Sequence, residues 1–236
     1  MHRTAIVLNK IGENIWTVEG DAVSFFGMPY TTRMTLIKLT TGDIWVHSPL
    51  NISQNLIKEV SALGKVKYLV SPNKLHHIFI ADWMRAFPKA ICYAPPGLVK
   101  KRRDITFDKE LGMLPEAQWS TEIKQTIFKG SPAMQEVVFF HTSSKTLILA
   151  DLIENFNPNS FNWWQRILAR MTGILAPHGK TPIDWRLSFI CGVNEARKSL
   201  SIILSWEPDV IVISHGECIL GNGVRFLQKS FLWLKL

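Results

Sequence analysis

Apolar and polar positions along the chain alternate between two periods. "NIWTVEG" and "RMTLIKLTTGDIWVHSP" read as β-rich runs, and Thr41-Gly42-Asp43 predicts a hairpin turn inside the second. The period then lengthens. Ile52, Leu56, Val60 and Leu63 fall at helical spacing, with Asn51 or Ser53 as candidate N-caps and Gly64 expected to end the helix in the left-handed conformation. "KVKYLVSP" follows as a buried strand. Ile78, Phe79, Trp83 and Phe87 then mark a helix that stops at Pro88, and "AICYAPP" reads as a further strand.

A second α/β half repeats the alternation. "EIKQTIF", "QEVVFFH" and "KTLILAD" read as strands, the last two separated by a turn at Thr142-Ser-Ser. "FNWWQRILARMTGIL" places Phe161, Trp164, Ile167, Leu168, Met171, Ile174 and Leu175 on one helical face, with Arg166 and Arg170 away from it. That face is expected to be buried in the core. The same pattern, with Trp163 and Trp164 on a basic chain, also suits a membrane interface. "NEARKSLSIILSW" predicts a helix capped by Asn194, "DVIVIS" a buried strand and "VRFLQKSFLWL" a final helix.

Composition narrows the class. With 236 residues and 47% apolar content, the chain can bury a substantial core, and one α/β domain over 1–236 is expected. Cys92, Cys191 and Cys218 form no Cys-x-x-Cys pair, which argues against a disulfide framework or a thiolate zinc site and for a reducing, cytoplasmic setting. The apolar run after Met-His-Arg-Thr is too short for a signal-peptide core, and no other stretch reads as a membrane span. The 27 basic and 19 acidic residues, a net charge of +8, favour anionic surfaces or substrates. Lys100-Lys-Arg-Arg103 reads as a solvated loop that could also touch phosphate or lipid head groups. No nucleic-acid-reading motif accompanies it, so no specific nucleic acid is expected as a partner.

Candidate chemistry lies where apolar strands end in polar groups. His76-His77 follow "YLVSPNKL", Asp151 ends "TLILAD" and His215 ends "VIVISHG". Imidazole and carboxylate together suit zinc, iron or manganese. Singly, each has a plainer reading: adjacent loop histidines as surface or core-capping groups, Asp151 as a turn cap, His215 as a satisfied core imidazole. His178, in a Pro/Gly-rich loop, is expected to be solvated, His141 to be a strand-end surface group and Cys218 a buried structural thiol. There is no Gly-x-Ser-x-Gly elbow and no phosphate-cradling Gly-Lys-Ser/Thr loop.

The order of these groups, and the unit "SPNKLHHIFIADWMRAFPKAICYAPP", resemble the metallo-β-lactamase-like hydrolase superfamily, over roughly residues 4 to 228. The resemblance implies a four-layer αββα sandwich. The superfamily's Thr-His-x-His-x-Asp-His motif is degraded here. Ser71, Pro72, Lys74, His76 and His77 stand at the threonine, the first two histidines, the aspartate and the final histidine, and Ser131 takes the place of the Gly-His histidine. Asp151 resembles the bridging aspartate, His215-Gly216 the last metal histidine, and His47 occupies a place where an aspartate is common.

Three replaced ligands imply that one of two metal sites is lost. The other, made of His76, His77, Asp151 and His215, is expected to hold a single divalent ion, zinc first, with iron or manganese as alternatives. Four protein ligands around tetrahedral zinc would leave no place for water, whereas five- or six-coordinate iron or manganese would keep one. The resemblance implies hydrolysis of an ester-like or lactone-like small molecule, with Asp151 as ligand and proton acceptor and Lys74 stabilising developing negative charge. The rival reading is a non-catalytic scaffold that binds a small molecule or a protein.

Overall fold

The computed structural model describes residues 7–25, 27–133 and 135–234, so the N-terminal Met-His-Arg-Thr stretch lies outside the described residues. The chain forms two compact units, Met1–Asp21 with Thr32–Glu110, and Ala22–Thr31 with Leu111–Leu236.

One sheet has seven strands. Its strands are β1 (Leu8–Gly12), β2 (Ile15–Phe25), β3 (Met28–Lys38), β4 (Asp43–His47), β5 (Lys65–Val70), β6 (Ile91–Ala94) and β7 (Lys109–Glu110), side by side in chain order. β3 and β4 pair antiparallel across the expected turn, where Gly42 supplies a φ of +81°. From β4 to β7 the strands run parallel. Parallel neighbours need crossovers. Two of these are helical, α1 (Gln54–Leu63) and α2 (Ile80–Ala86), and a short α3 (Leu98–Lys101) follows β6.

Of the two candidate caps of α1, Ser53 is the one used, its Oγ accepting the Leu56 amide at 3.2 Å. Such a cap contributes about 1 kcal/mol. Gly64 departs from expectation: its φ of 163° is extended rather than left-handed. Glycine is required there for space, because a Cβ would lie 2.3 Å from the Gly42 carbonyl. Leu56 and Val60 of α1 and Ile80 and Trp83 of α2 pack on Leu36, Val46 and Leu69 of the sheet. The Trp83 indole also donates to Leu50 O at 2.7 Å.

The second unit holds β8 (Ile123–Phe128), β9 (Glu136–His141), β10 (Thr146–Leu149), β11 (Val210–Ile213) and β12 (Ile219–Leu220), in the spatial order β12-β11-β10-β9-β8. Among its described residues only β10 and β11 pair in parallel. Four helices complete it: α4 (Trp163–Thr172), α5 (Ile183–Ser188), α6 (Val193–Leu204) and α7 (Gly223–Ser230). Leu200 and Ile203 of α6 and Leu227 of α7 pack with Val138, Phe140, Leu147 and Leu149 into one core.

Three sequence expectations are corrected here. Helix α6 begins one residue before Asn194, with Gly192 as its N-cap. A Cβ on Gly192 would meet the Gly130 carbonyl at 2.0 Å, and this close approach goes with the earlier start. His141 is buried, not a surface group, with its Nδ1 2.7 Å from Ser144 Oγ. The third concerns α4, whose expected core face is only partly buried. Phe161 and Ile174, just outside the helix, enter a small core with Met28, Phe156 and Ala169, while Trp164, Ile167, Leu168 and Met171 stay exposed. The inward side of α4 is Gln165 and Ala169. Gln165 is drawn in by two duties, a reciprocal capping box with Asn162 and a 2.8 Å bond to Gly27 O. No described helix is long and apolar enough to cross a membrane.

Candidate metal centre

Parallel pairing in the second unit brings two of the expected residues together. Leu149 of β10 is in register with Ile213 of β11, so Asp151 and His215, each two residues beyond its strand, emerge side by side. The His215 Nε2 lies 2.8 Å from Asp151 Oδ1, and both side chains are almost fully enclosed.

The other ring nitrogen decides what this contact means. His215 Nδ1 is 2.6 Å from the Thr31 carbonyl, which can only accept, so Nδ1 carries a proton. In a neutral ring the Nε2 lone pair would then face a carboxylate oxygen. The pair is favourable if Nε2 also holds a proton, or if both groups turn their lone pairs to a shared cation. Burial, the largest influence, pushes the imidazole pKa down. The hydrogen bond and charge of Asp151, the charge of Glu154 and the Thr31 carbonyl together lift it above the ordinary value. An imidazole whose second nitrogen is pinned to a backbone carbonyl is the usual arrangement of a metal-ligating histidine. The donor set therefore fits a divalent ion.

The surroundings fix both residues. Gly216, with φ +96°, accepts no substitute, since a Cβ would sit 2.2 Å from Asn155 O; its amide donates to Thr31 Oγ1 at 2.9 Å. The loop of Asp151 is held by Glu136. Its Oε1 accepts the Ala150 amide at 2.8 Å, and its Oε2 accepts those of Asp151 and Leu152 at 2.8 and 3.1 Å. Tyr30 and Phe156 wall the imidazole with ring centroids at 5.2 and 6.4 Å. Beside them Glu154 accepts from the Tyr30 hydroxyl at 3.2 Å. Burial, aided by the charge of Asp151, pushes its pKa up to about 8, against the favourable charge of His215. Burial, with the Glu154 charge, also pushes the Tyr30 hydroxyl far up.

In the first unit the adjacent histidines serve different neighbours. The buried Asn73 shapes their loop, its Oδ1 accepting the Leu75 and His76 amides at 2.8 and 3.2 Å. His76 Nδ1 lies 2.6 Å from the hydroxyl of Ser48, a residue with φ +53° at the end of β4. Such a backbone costs about 1 kcal/mol or more in a non-glycine residue. His77 Nδ1 instead lies 2.8 Å from Arg102 Nη1. A guanidinium can only donate, so His77 accepts at Nδ1, and in the neutral ring Nε2 keeps the proton. Neither nitrogen then offers a lone pair. Burial, with the charges of Lys101 and Arg102, lowers the His77 pKa to about 4. Arg102 in turn is paired with Asp104 at 2.6 Å.

The remaining candidates are placed as follows. The end of the Lys74 side chain lies over Gly97, its Cε 2.8 Å from where a Cβ would stand. His47 is buried at the end of β4, stacked on Trp45 at 5.7 Å. The Ser131 hydroxyl pairs with that of Ser188 at 2.7 Å. His178 is exposed, as expected. The three cysteines are free, with Cys92 buried, Cys191 exposed and Cys218 part-exposed rather than buried. Glu136, Tyr30 and Glu154 were missed in the sequence. A carboxylate opening an otherwise apolar strand, and a second acid three residues after Asp151, were the available signals.

A family model matches residues 12–169, two thirds of the chain. The chain belongs to the DUF4336 family. That family is described as a domain of unknown function, and its matched span contains Asp151 but ends before His215. No curated protein matches the DUF4336 chain. Solved structures match it along nearly its whole length. The DIM-1 metallo-β-lactamase exposed to ceftazidime is 16% identical, with 98% of this chain and 97% of the other covered at a TM-score of 0.67. The metallo-β-lactamase from Pontibacter korlensis is 12% identical, with 98% and 99% covered at 0.65. The rubredoxin oxygen:oxidoreductase from Desulfovibrio gigas is 12% identical, with 97% of this chain and 62% of the other covered at 0.68. At these identities the likeness shows the fold: the DUF4336 chain has the metallo-β-lactamase-like α/β architecture expected from the degraded motif.

Proposed function

We propose that this DUF4336 chain is a metal-dependent hydrolase of an ester-like or lactone-like small molecule, with one divalent ion held by Asp151, His215 and His76. Zinc is the first choice, and iron or manganese the alternatives. The reading is carried by the enclosed Asp151–His215 pair, in which the Thr31 carbonyl accepts a hydrogen bond from Nδ1–H and Nε2 faces the carboxylate. His76 joins on the order of the motif and on the Ser48 hydroxyl at its Nδ1, which leaves Nε2 as the donor atom. His77 is left out, because Arg102 occupies its acceptor nitrogen.

Three protein donors leave a coordination position for water, the pattern of catalytic rather than closed structural zinc sites. A bound divalent ion supplies acidified water near neutral pH and polarises a carbonyl oxygen. In that state Asp151 would serve as ligand and proton acceptor. Lys74 supplies positive charge for an anionic intermediate. Because the fold hosts several chemistries, the substrate class rests on the resemblance alone.

The test is metal analysis of untagged protein, followed by a panel of esters and lactones. About one equivalent is expected in the wild type and in His77→Gln, and much less in Asp151→Asn, His215→Gln and His76→Gln. Wild-type protein that takes up no zinc, iron or manganese on dialysis would end this reading. Metal without turnover would favour the binding scaffold, a reading supported by Pro72, Lys74 and Ser131 at positions where relatives of this fold carry ligands.

A further inference from the structure

Helix α4 is built inside out. Trp163, Ile167 and Met171, one per turn, are 75%, 54% and 72% exposed, and Trp164 and Leu168 beside them are also exposed. The polar Gln165 and the small Ala169 face inward. At about 100° per residue, the five apolar positions span an arc of about 140° directed away from the core. The patch continues in sequence through exposed Ile183 and Leu187 of α5, and Arg186 ties the two helices by donating to Thr172 O at 3.0 Å. Half of the large apolar side chains exposed among the described residues lie between 163 and 190. Scattered exposed apolar residues need no explanation, but a concentration of this kind marks a surface that something covers.

The charges say what covers it. Arg166, Arg170, Lys180 and Arg186 stand in the same stretch against one acid, Asp184, on a chain of net charge +8. Arg170 and Arg166 fall within about 60° of the Trp163 edge of the apolar arc. Arg166 is held there by bonds to the Pro158 and Phe161 carbonyls at 2.9 and 3.3 Å. A second copy of this chain packing symmetrically on the patch would set these cations against themselves. An anionic bilayer answers both features, since tryptophan sits at the headgroup boundary while arginine stems run along apolar surface and reach the phosphates.

We propose that α4 lies in the headgroup region of an anionic membrane and makes this chain a peripheral membrane protein. The test is cosedimentation of the full chain with vesicles of phosphatidylcholine alone and of equal parts phosphatidylcholine and phosphatidylglycerol. Binding to the anionic vesicles should be at least tenfold tighter and should weaken with added salt. Trp163→Ser/Ile167→Ser/Met171→Ser, at exposed positions that leave the core intact, should lose most of it while unfolding at the wild-type temperature. Arg170→Glu should weaken binding to the anionic vesicles alone, by about fivefold or more.

Three results would each overturn the proposal. One is wild-type protein that stays in the supernatant with both vesicle types. Another is a triple variant that binds like wild type, which would move the contact elsewhere. The third is a dimer by light scattering that the triple substitution dissolves while no vesicle binds, which would assign the face to a second copy.

Discussion

Removing the Glu136 carboxylate should unfasten the loop that carries Asp151. Glu136 is buried, and the three amides it accepts, those of Ala150, Asp151 and Leu152, belong to residues that are themselves buried. Water cannot easily replace the lost acceptor, and an unsatisfied buried donor costs about 1–3 kcal/mol. For three donors, with partial relaxation and some water entry, Glu136→Ala should cost about 4–6 kcal/mol. Glu136→Gln discriminates more finely. With its carbonyl at the Oε2 position it keeps two bonds and sets its amide against the Ala150 N–H, donor facing donor, for about 1–3 kcal/mol.

Urea unfolding followed by tryptophan fluorescence gives both values from the midpoint and slope. A domain of this size has about 5–15 kcal/mol in hand, so the Ala variant should stand near the limit of folding while the Gln variant stays folded. Where folded protein is obtained, its zinc affinity should fall about 10–100-fold, the usual effect of loosening a ligand's support. An Ala variant losing less than about 1 kcal/mol, or a Gln variant as damaged as the Ala variant, would refute the account of Glu136 as the fastening of this loop.

Acid should destabilise the fold through His77. Its pKa is about 4 in the fold against an ordinary 6.5, so unfolding takes up a proton between these values; the contribution is complete above about pH 6.5 and is lost as pH falls toward 4. Allowing for solvent screening it amounts to about 2 kcal/mol, and His77→Gln should flatten the stability–pH curve between pH 7 and 4.5 in chemical denaturation. Gly216→Ala should cost about 3 kcal/mol or more, because the new Cβ would meet the backbone of Asn155 at 2.2 Å and φ is +96°. A shift of less than a few degrees in its thermal midpoint would contradict that reading.

Most of the strands and the longer helices were legible because their burial is one-dimensional information. "EVVFFH" is apolar between its ends and "KTLILAD" from Leu147 to Ala150, and the polar residue that stops such a run is conspicuous. Asp151 and His215 stand out in that way, and strand register does what sequence order cannot, setting them side by side. Glu136 escaped notice for the converse reason. A charged residue at the start of a strand looks like an ordinary solvated end, and its role exists only once β9 and β10 pair and deliver the 150–152 amides to it. The paired histidines differ in surroundings despite their adjacency. Consecutive residues in an irregular loop share a position in the chain but not a direction, and the neighbours that separate them, Ser48 and Arg102, are 28 and 25 residues away.

Helix α4 carries the same lesson about direction. Periodicity reports that a helix has an apolar side; it contains nothing about which way that side is turned. Orientation goes with Gln165, committed to the cap at Asn162 and to the Gly27 carbonyl, and with Ala169, which joins the small core of Phe156 and Phe161. Once those interactions set the inward face, Trp163, Ile167 and Met171 had to face out. A stripe of that size, retained on the outside where polar residues would cost the fold nothing, is therefore best understood as serving something other than folding.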